Sequence, residues 1–196
     1  MNILDRIQWH EGMLLSPQHF QTESSRVDQL IAFHSMGRHC DAWGIKALEI
    51  DSAMLAGGKF RILTLEAFMP DGTALKWNGK LESSSLEINL EDLSDSVKNS
   101  ETIDIYIGLP LGTRKNKEGN FRFEEKVSDP VIDDFQDGEP IDIPRLSYNL
   151  KIFVNERPPG SYSSFKLCAL KNVDGVIKVG DYIPPLIDIG AVSYTH

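Results

Sequence analysis

Trp9–Gln21 reads WHEGMLLSPQHFQ, and the rest of the chain is placed by how this stretch is read. Its large apolar residues, Trp9, Met13, Leu14, Leu15 and Phe20, follow neither a strand period nor a helix period over its whole length. Trp9, Glu11, Met13 and Leu15 fit one face of a short extended segment, which Gly12 interrupts. Ser16-Pro17 then stops it. A serine hydroxyl accepts from an orphan N–H at a helix start, and proline suits the first helical position, where no N–H partner is needed. The spacing therefore predicts an extended lead-in over residues 1–15 that turns into a helix at Ser16-Pro17.

The helix is expected over 17 to about 37. Phe20, Val27, Leu30, Ile31 and His34 fall near one face, with a polar gap at Glu23-Ser24. Gly37 is the expected stop, with Arg38 and His39 beside the negative helix end. From Trp43 the texture changes to strands. Ile45, Ala47 and Glu49 alternate with Lys46, Leu48 and Ile50. A turn is expected at Gly57-Gly58. Phe60, Ile62, Thr64 and Glu66 then alternate with Arg61, Leu63, Leu65 and Ala67. Pro70-Asp71-Gly72-Thr73 is a turn by mechanism, since Pro fixes φ and Gly supplies a positive one. Leu75 and Trp77 precede a second turn at Asn78-Gly79. Leu86, Ile88 and Leu90 suggest a short strand in a Ser- and Asp-rich stretch.

The cleanest strand is Thr102–Leu111, TIDIYIGLPL, followed by a charged loop over 113–120 expected to be a hairpin tip and a strand over Phe121–Val127. Leu146, Tyr148, Leu150, Ile152 and Val154 read as one long strand ending at Pro158-Pro159-Gly160. Phe165–Leu170 and Val176–Val179 read as a hairpin around Asp174-Gly175. Many short strands, one early helix and no strand–helix alternation predict a mainly β fold, an antiparallel β-sandwich or jelly-roll-like domain over about 43–190.

The chain has 196 residues, 41% apolar and 25% charged, which suits one domain with its own core. Its net charge of −9 disfavours nucleic acid and anionic membrane surfaces as partners. Two cysteines, Cys40 and Cys168, no secretory leader and no apolar run of membrane-spanning length point to the cytoplasm.

The motifs for chemistry fail one by one. His10-Glu11 lacks a second His at the zincin position, and His34 and His39 are spaced poorly for a shared ligand face, so no metal is expected. Eight carboxylates lie within 124–142, yet Phe135 and Pro144 break a calcium-loop pattern. Gly57-Gly58-Lys59 lacks the remaining phosphate-loop residues. No catalytic residue and no cofactor is assigned. Trp9 reads as core in preference to interface.

The Trp9–Gln21 stretch resembles the N-terminal signature of the TssK family, trimeric baseplate components of bacterial type VI secretion systems. The matching residues are Trp9, Glu11, Gly12, Met13, Leu15, Pro17, Gln18, His19, Phe20 and Gln21. Leu14 stands where an aromatic is common, and Ser16 where a basic residue is common. Further matches follow in order: Met69-Pro70-Asp71-Gly72-Thr73, Leu109-Pro110-Leu111, Arg145-Leu146, and Ile183-Pro184-Pro185 with Leu186 shifted by one. The resemblance implies the shoulder β-domain of a longer protein, with a helical neck and a C-terminal head beyond it. It implies a non-enzymatic adapter that docks on the TssF–TssG wedge as part of a homotrimer, the head reaching the membrane complex. Trp9, Glu11, Met13, Leu15, Gln18, His19 and Phe20 are the residues expected at, or shaping, the wedge-facing surface. A competing expectation is a carbohydrate- or receptor-binding sandwich, with Trp9, Trp43 and Trp77 stacking on sugars. A third is a small hydrolase using the acidic loop at Asp133 and Asp134.

Overall fold

A computed structural model describes residues 3–37, 42–80, 85–93, 101–112, 115–126, 128–135, 138–173 and 176–187. The first element, α1 (Pro17–Met36), begins where the Ser16-Pro17 reading places it, with Ser16 extended at φ −134° and ψ 157°. The expected basic residues beyond its end, Arg38 and His39, and the turn at Asp174-Gly175 lie outside the described residues.

Two four-stranded antiparallel sheets follow. In the first, β1 (Gly44–Ile50), β2 (Lys59–Phe68) and β3 (Ala74–Asn78) are adjacent in that order, and β4 (Glu87–Asn89) pairs the early part of β2. In the second, β5 (Thr102–Pro110) lies between β8 (Lys151–Val154) and β9 (Tyr162–Val173), with β10 (Val176–Val179) on the far side of β9. The remaining pair, β6 (Phe123–Lys126) and β7 (Arg145–Tyr148), forms a separate two-stranded ribbon. One apolar cluster joins the two larger sheets: Phe60, Ile62, Leu65, Leu75 and Trp77 from the first meet Ile105, Ile107, Phe165, Leu167 and Leu170 from the second. This is the mainly β, antiparallel sandwich with an N-terminal helix that the turn and strand pattern predicts.

Several local expectations are corrected. The strict alternation of β1 and β2 is broken by two bulges, with Lys46 extra on β1 and Leu63 extra on β2. Each extra residue reverses which side chains face inward. Phe60 and Ile62 are therefore buried before the bulge, and Leu65 and Ala67 after it. A five-residue helix, α2 (Ser52–Ala56), precedes the Gly57-Gly58 turn, capped by the Asp51 carboxylate accepting from Met54 N–H at 3.0 Å.

The long strand expected over 146–154 is two strands in different sheets. Leu150 N–H turns back to Tyr148 O at 3.0 Å, and Asn149 binds the 121–122 backbone through its N–H and its amide, both at 2.9 Å. The loop after β5 is not a hairpin tip either, because β5 pairs with β8 and β9 while β6 pairs with β7.

The C-terminal Pro-Pro segment seals the outer edge of β1. Ile45 N–H donates to Pro185 O at 2.8 Å and Ile187 N–H to Ile45 O at 3.0 Å. This close approach needs Gly44, which has φ +142° and whose Cβ position lies 2.6 Å from Pro185 O.

Candidate docking surface

The lead-in does not run as one extended face. Met13 N–H donates to His10 O at 3.3 Å, and Gly12 takes φ +78°, the positive φ a tight turn demands at that place. This turn separates Trp9 and Glu11 from Met13 and Leu15. Leu4 N–H donates to Gln29 Oε1 at 2.7 Å, which lays the lead-in back along α1.

At the helix start, His19 supplies the acceptor that Glu or Gln gives in a capping box. Its Nδ1 accepts from Ser16 N–H at 3.0 Å and lies 2.9 Å from Ser16 Oγ. A backbone N–H aimed at Nδ1 requires a lone pair there. The Ser16 hydroxyl donates to the ring nitrogen while its oxygen faces the His19 backbone N–H, so both halves of the capping box are present, as the sequence reading expects. The Trp9 and His19 rings stand 5.9 Å apart at 52°.

The expectation that Trp9 belongs to the core is overturned, since it is 49% exposed. Leu15 and Phe20 are 58% and 57% exposed, Glu11 and Gln18 are exposed, and Met13 and His19 are half-buried. Val27 and Ile31 continue the exposed apolar face of Phe20 along α1, Phe33 is exposed on another side, and Ala32 is the buried residue of that helix. The structure brings Trp9, Ser16 and His19 together and leaves Phe20 and Leu15 open to solvent.

Beneath the helix a groove of about 340 Å³ is lined by Asp28, Ile31 and Ala32 of α1, the 71–74 turn, Leu111, Arg122, Phe123 and Tyr148. Arg122 holds its floor, and sequence reasoning missed it. The guanidinium donates to Pro110 O at 2.8 Å, to Asp71 Oδ2 at 3.0 Å and to Thr73 Oγ1, and lies 5.8 Å from the Tyr148 ring centroid. Asp71 N–H donates to Ser163 Oγ at 3.2 Å, so the 70–73 turn of one sheet is pinned to β9 of the other. Burial first, then the Asp28 carboxylate, raises the Tyr148 phenol above its ordinary range, with Arg122 opposing. No local signal marks Arg122, because its partners are distant in sequence.

Cys168 is fully buried, and burial pushes its thiol up to about 12, so it is not an activated nucleophile. Among the described residues no group of His, Cys, Asp or Glu could hold a metal ion. No helix in them is long and apolar enough to cross a membrane. Cys40 and Asp137 lie outside them. Trp77 is buried, and Trp43 packs on Phe165 with ring centroids 5.9 Å apart, which removes two of the three tryptophans offered for sugar stacking.

Fold and surface together define a β-sandwich preceded by a helix that leaves several large apolar side chains exposed. The chain belongs to the family described as bacterial type VI secretion, VC_A0110, EvfL, ImpJ, VasE, which matches residues 19–196. It is 30% identical, over 95% of its length, to the type VI secretion system baseplate component TssK1 of Pseudomonas aeruginosa. It spans 43% of that relative. A TssK–TssF–TssG baseplate subcomplex contains a chain of similar fold, with TM-score 0.78 and 22% identity over 95% of this chain and 63% of that one. A crystal structure of TssK gives TM-score 0.75 and 18% identity, covering 93% of this chain and 42% of the other. Both likenesses concern the fold. The TssK resemblance read from the motifs is thereby borne out.

Proposed function

We propose that this chain is the docking module of a TssK-type baseplate adapter and binds a TssF–TssG complex through the lead-in and α1. Trp9, Glu11, Met13, Leu15, Gln18, His19 and Phe20 form or shape the contact. One observation carries this reading: large apolar side chains of the lead-in and helix stay exposed on a chain whose sandwich core is closed. The choice of occupant is supported by the similarly folded chain of the TssK–TssF–TssG baseplate subcomplex. In the adapter, three copies raise the effective concentration for a common target. The proposed location is the cytoplasmic side of the secretion baseplate at the inner membrane, with a further part of the protein reaching the membrane complex.

The test is retention on purified TssF–TssG of wild type against Trp9→Ala and Phe20→Ala. An interface anchor costs about 2 kcal/mol or more of binding when truncated, with the melting transition nearly unchanged. Wild type that is not retained, or variants retained as well as wild type, would refute the assignment.

A further inference from the structure

Between β6 and β7 the chain makes an excursion whose described residues are 128–135 and 138–144. Val131 and Ile141 exchange both backbone hydrogen bonds at 2.9 Å, and Ser128 Oγ donates to Ile143 O at 2.9 Å. The excursion is therefore a two-legged arm. Its large side chains do not enter the core: Ile132 is 59%, Phe135 96% and Ile141 67% exposed. Several large apolar side chains left exposed on one short excursion mark a contact surface.

The sequence from Ser128 to Pro144 holds Asp129, Asp133, Asp134, Asp137, Glu139 and Asp142 and no Lys or Arg. Carboxylates interleaved with the apolar residues set the chemistry of the occupant. A second copy carries the same acidic arm on a chain of net charge −9, so like charge opposes self-association there. Nucleic acid and anionic lipid are repelled for the same reason. An apolar protein groove rimmed by Lys and Arg complements the arm in both respects. The arm springs from the Lys126/Arg145 end of the ribbon, and the other end of that ribbon, Phe123 and Tyr148, lines the groove under α1.

We propose that the arm's described legs, 128–135 and 138–144, are a second docking element, which seats Ile132, Phe135 and Ile141 in a basic-rimmed apolar groove of the TssF–TssG complex. This rests on the docking reading above. Association rates of the intact protein on immobilised, purified TssF–TssG, at low and high NaCl, test it. One variant combines Asp133→Asn, Asp134→Asn, Glu139→Gln and Asp142→Asn. Asn at 133 keeps the acceptor that Asp133 Oδ1 offers to Phe135 N–H at 2.8 Å. The second combines Ile132→Ser and Phe135→Ser, and the third Trp9→Ala and Phe20→Ala.

The charge variant is expected to associate about tenfold more slowly at low salt and to lose most of the salt dependence. The apolar variant is expected to dissociate at least about tenfold faster, with an unchanged unfolding transition. If both arm variants bind like wild type while the helix variant weakens, the arm has no such role and the docking reading stands. If only the arm variants weaken binding, the arm stands and the helix face loses its assignment. Wild type that does not bind overturns both.

Discussion

Removing the Arg122 guanidinium tests whether one buried joint holds the two sheets and the ribbon in register. Its side chain is 14% exposed, that of Asp71 23%, and they meet at 3.0 Å. An exposed ion pair contributes about 0–1 kcal/mol, and breaking a buried one costs about 3–5 kcal/mol. This pair lies between those limits, and about 1.5 kcal/mol is a fair share for it. The bonds to Pro110 O at 2.8 Å and to Thr73 Oγ1 add about 1 kcal/mol each at the net value of a protein hydrogen bond. Arg122→Ala should therefore lose roughly 3.5 kcal/mol, a fall in Tm of about 7–14 °C for a chain of this size. Arg122→Lys keeps the charge but not the planar fork, so about half the loss should remain. Urea denaturation with an unchanged slope reads these values. A loss below about 1 kcal/mol in Arg122→Ala, or a Lys variant equal to wild type, would refute the joint.

Gly44→Ala forces a Cβ to within 2.6 Å of Pro185 O at φ +142°, and should cost about 1–3 kcal/mol by freeing the 185–187 segment from β1, visible as faster amide exchange at Ile45 and Ile187. Cys168 should resist alkylation in the folded chain. Its thiol is raised from 9.0 to about 12 by burial, so between those values the unfolded chain loses a proton that the native chain keeps. Stability should then fall as pH rises through that window, and Cys168→Ala should flatten the slope in a denaturation series. His19→Ala should lose about 1 kcal/mol from the helix start, while His19→Gln keeps an acceptor for Ser16 N–H; equal losses in thermal melts would count against the cap.

The readable features are those fixed by neighbours in sequence. Ser16-Pro17 sets the helix start because the cap acts within one turn. Ile103, Ile105 and Ile107 announce β5 because both its partners leave one face inward. Pro70-Asp71-Gly72-Thr73 announces its turn because Gly72 must take φ +83°. The failures share another cause. The bulges at Lys46 and Leu63 add one residue each, and in a single sequence that resembles noise in the alternation. Asn149 breaks the 146–154 run through bonds to residues 121 and 122, far back in the chain. Arg122 binds groups 12, 49 and 51 positions away, so no window contains its reason. Trp9 reads as inward because large aromatics are mostly buried, and its setting in a lead-in held by one turn and one helix decides otherwise.

The two proposed docking elements share a foundation that is not itself exposed. Helix α1 lies over the groove whose floor is Arg122, Asp71 and Tyr148, and the acidic arm springs from the ribbon that carries Tyr148 and Phe123. Phe123 and Tyr148 stack with centroids 5.2 Å apart at the ribbon end that lines this groove. The sandwich core contains neither element's exposed side chains. A partner meeting Trp9, Phe20 or Phe135 therefore gains apolar contact without unpacking the core. Binding by two spaced elements on one rigid base loses less entropy than binding by two free segments. On the proposed reading, the sandwich is the base from which both elements reach one target.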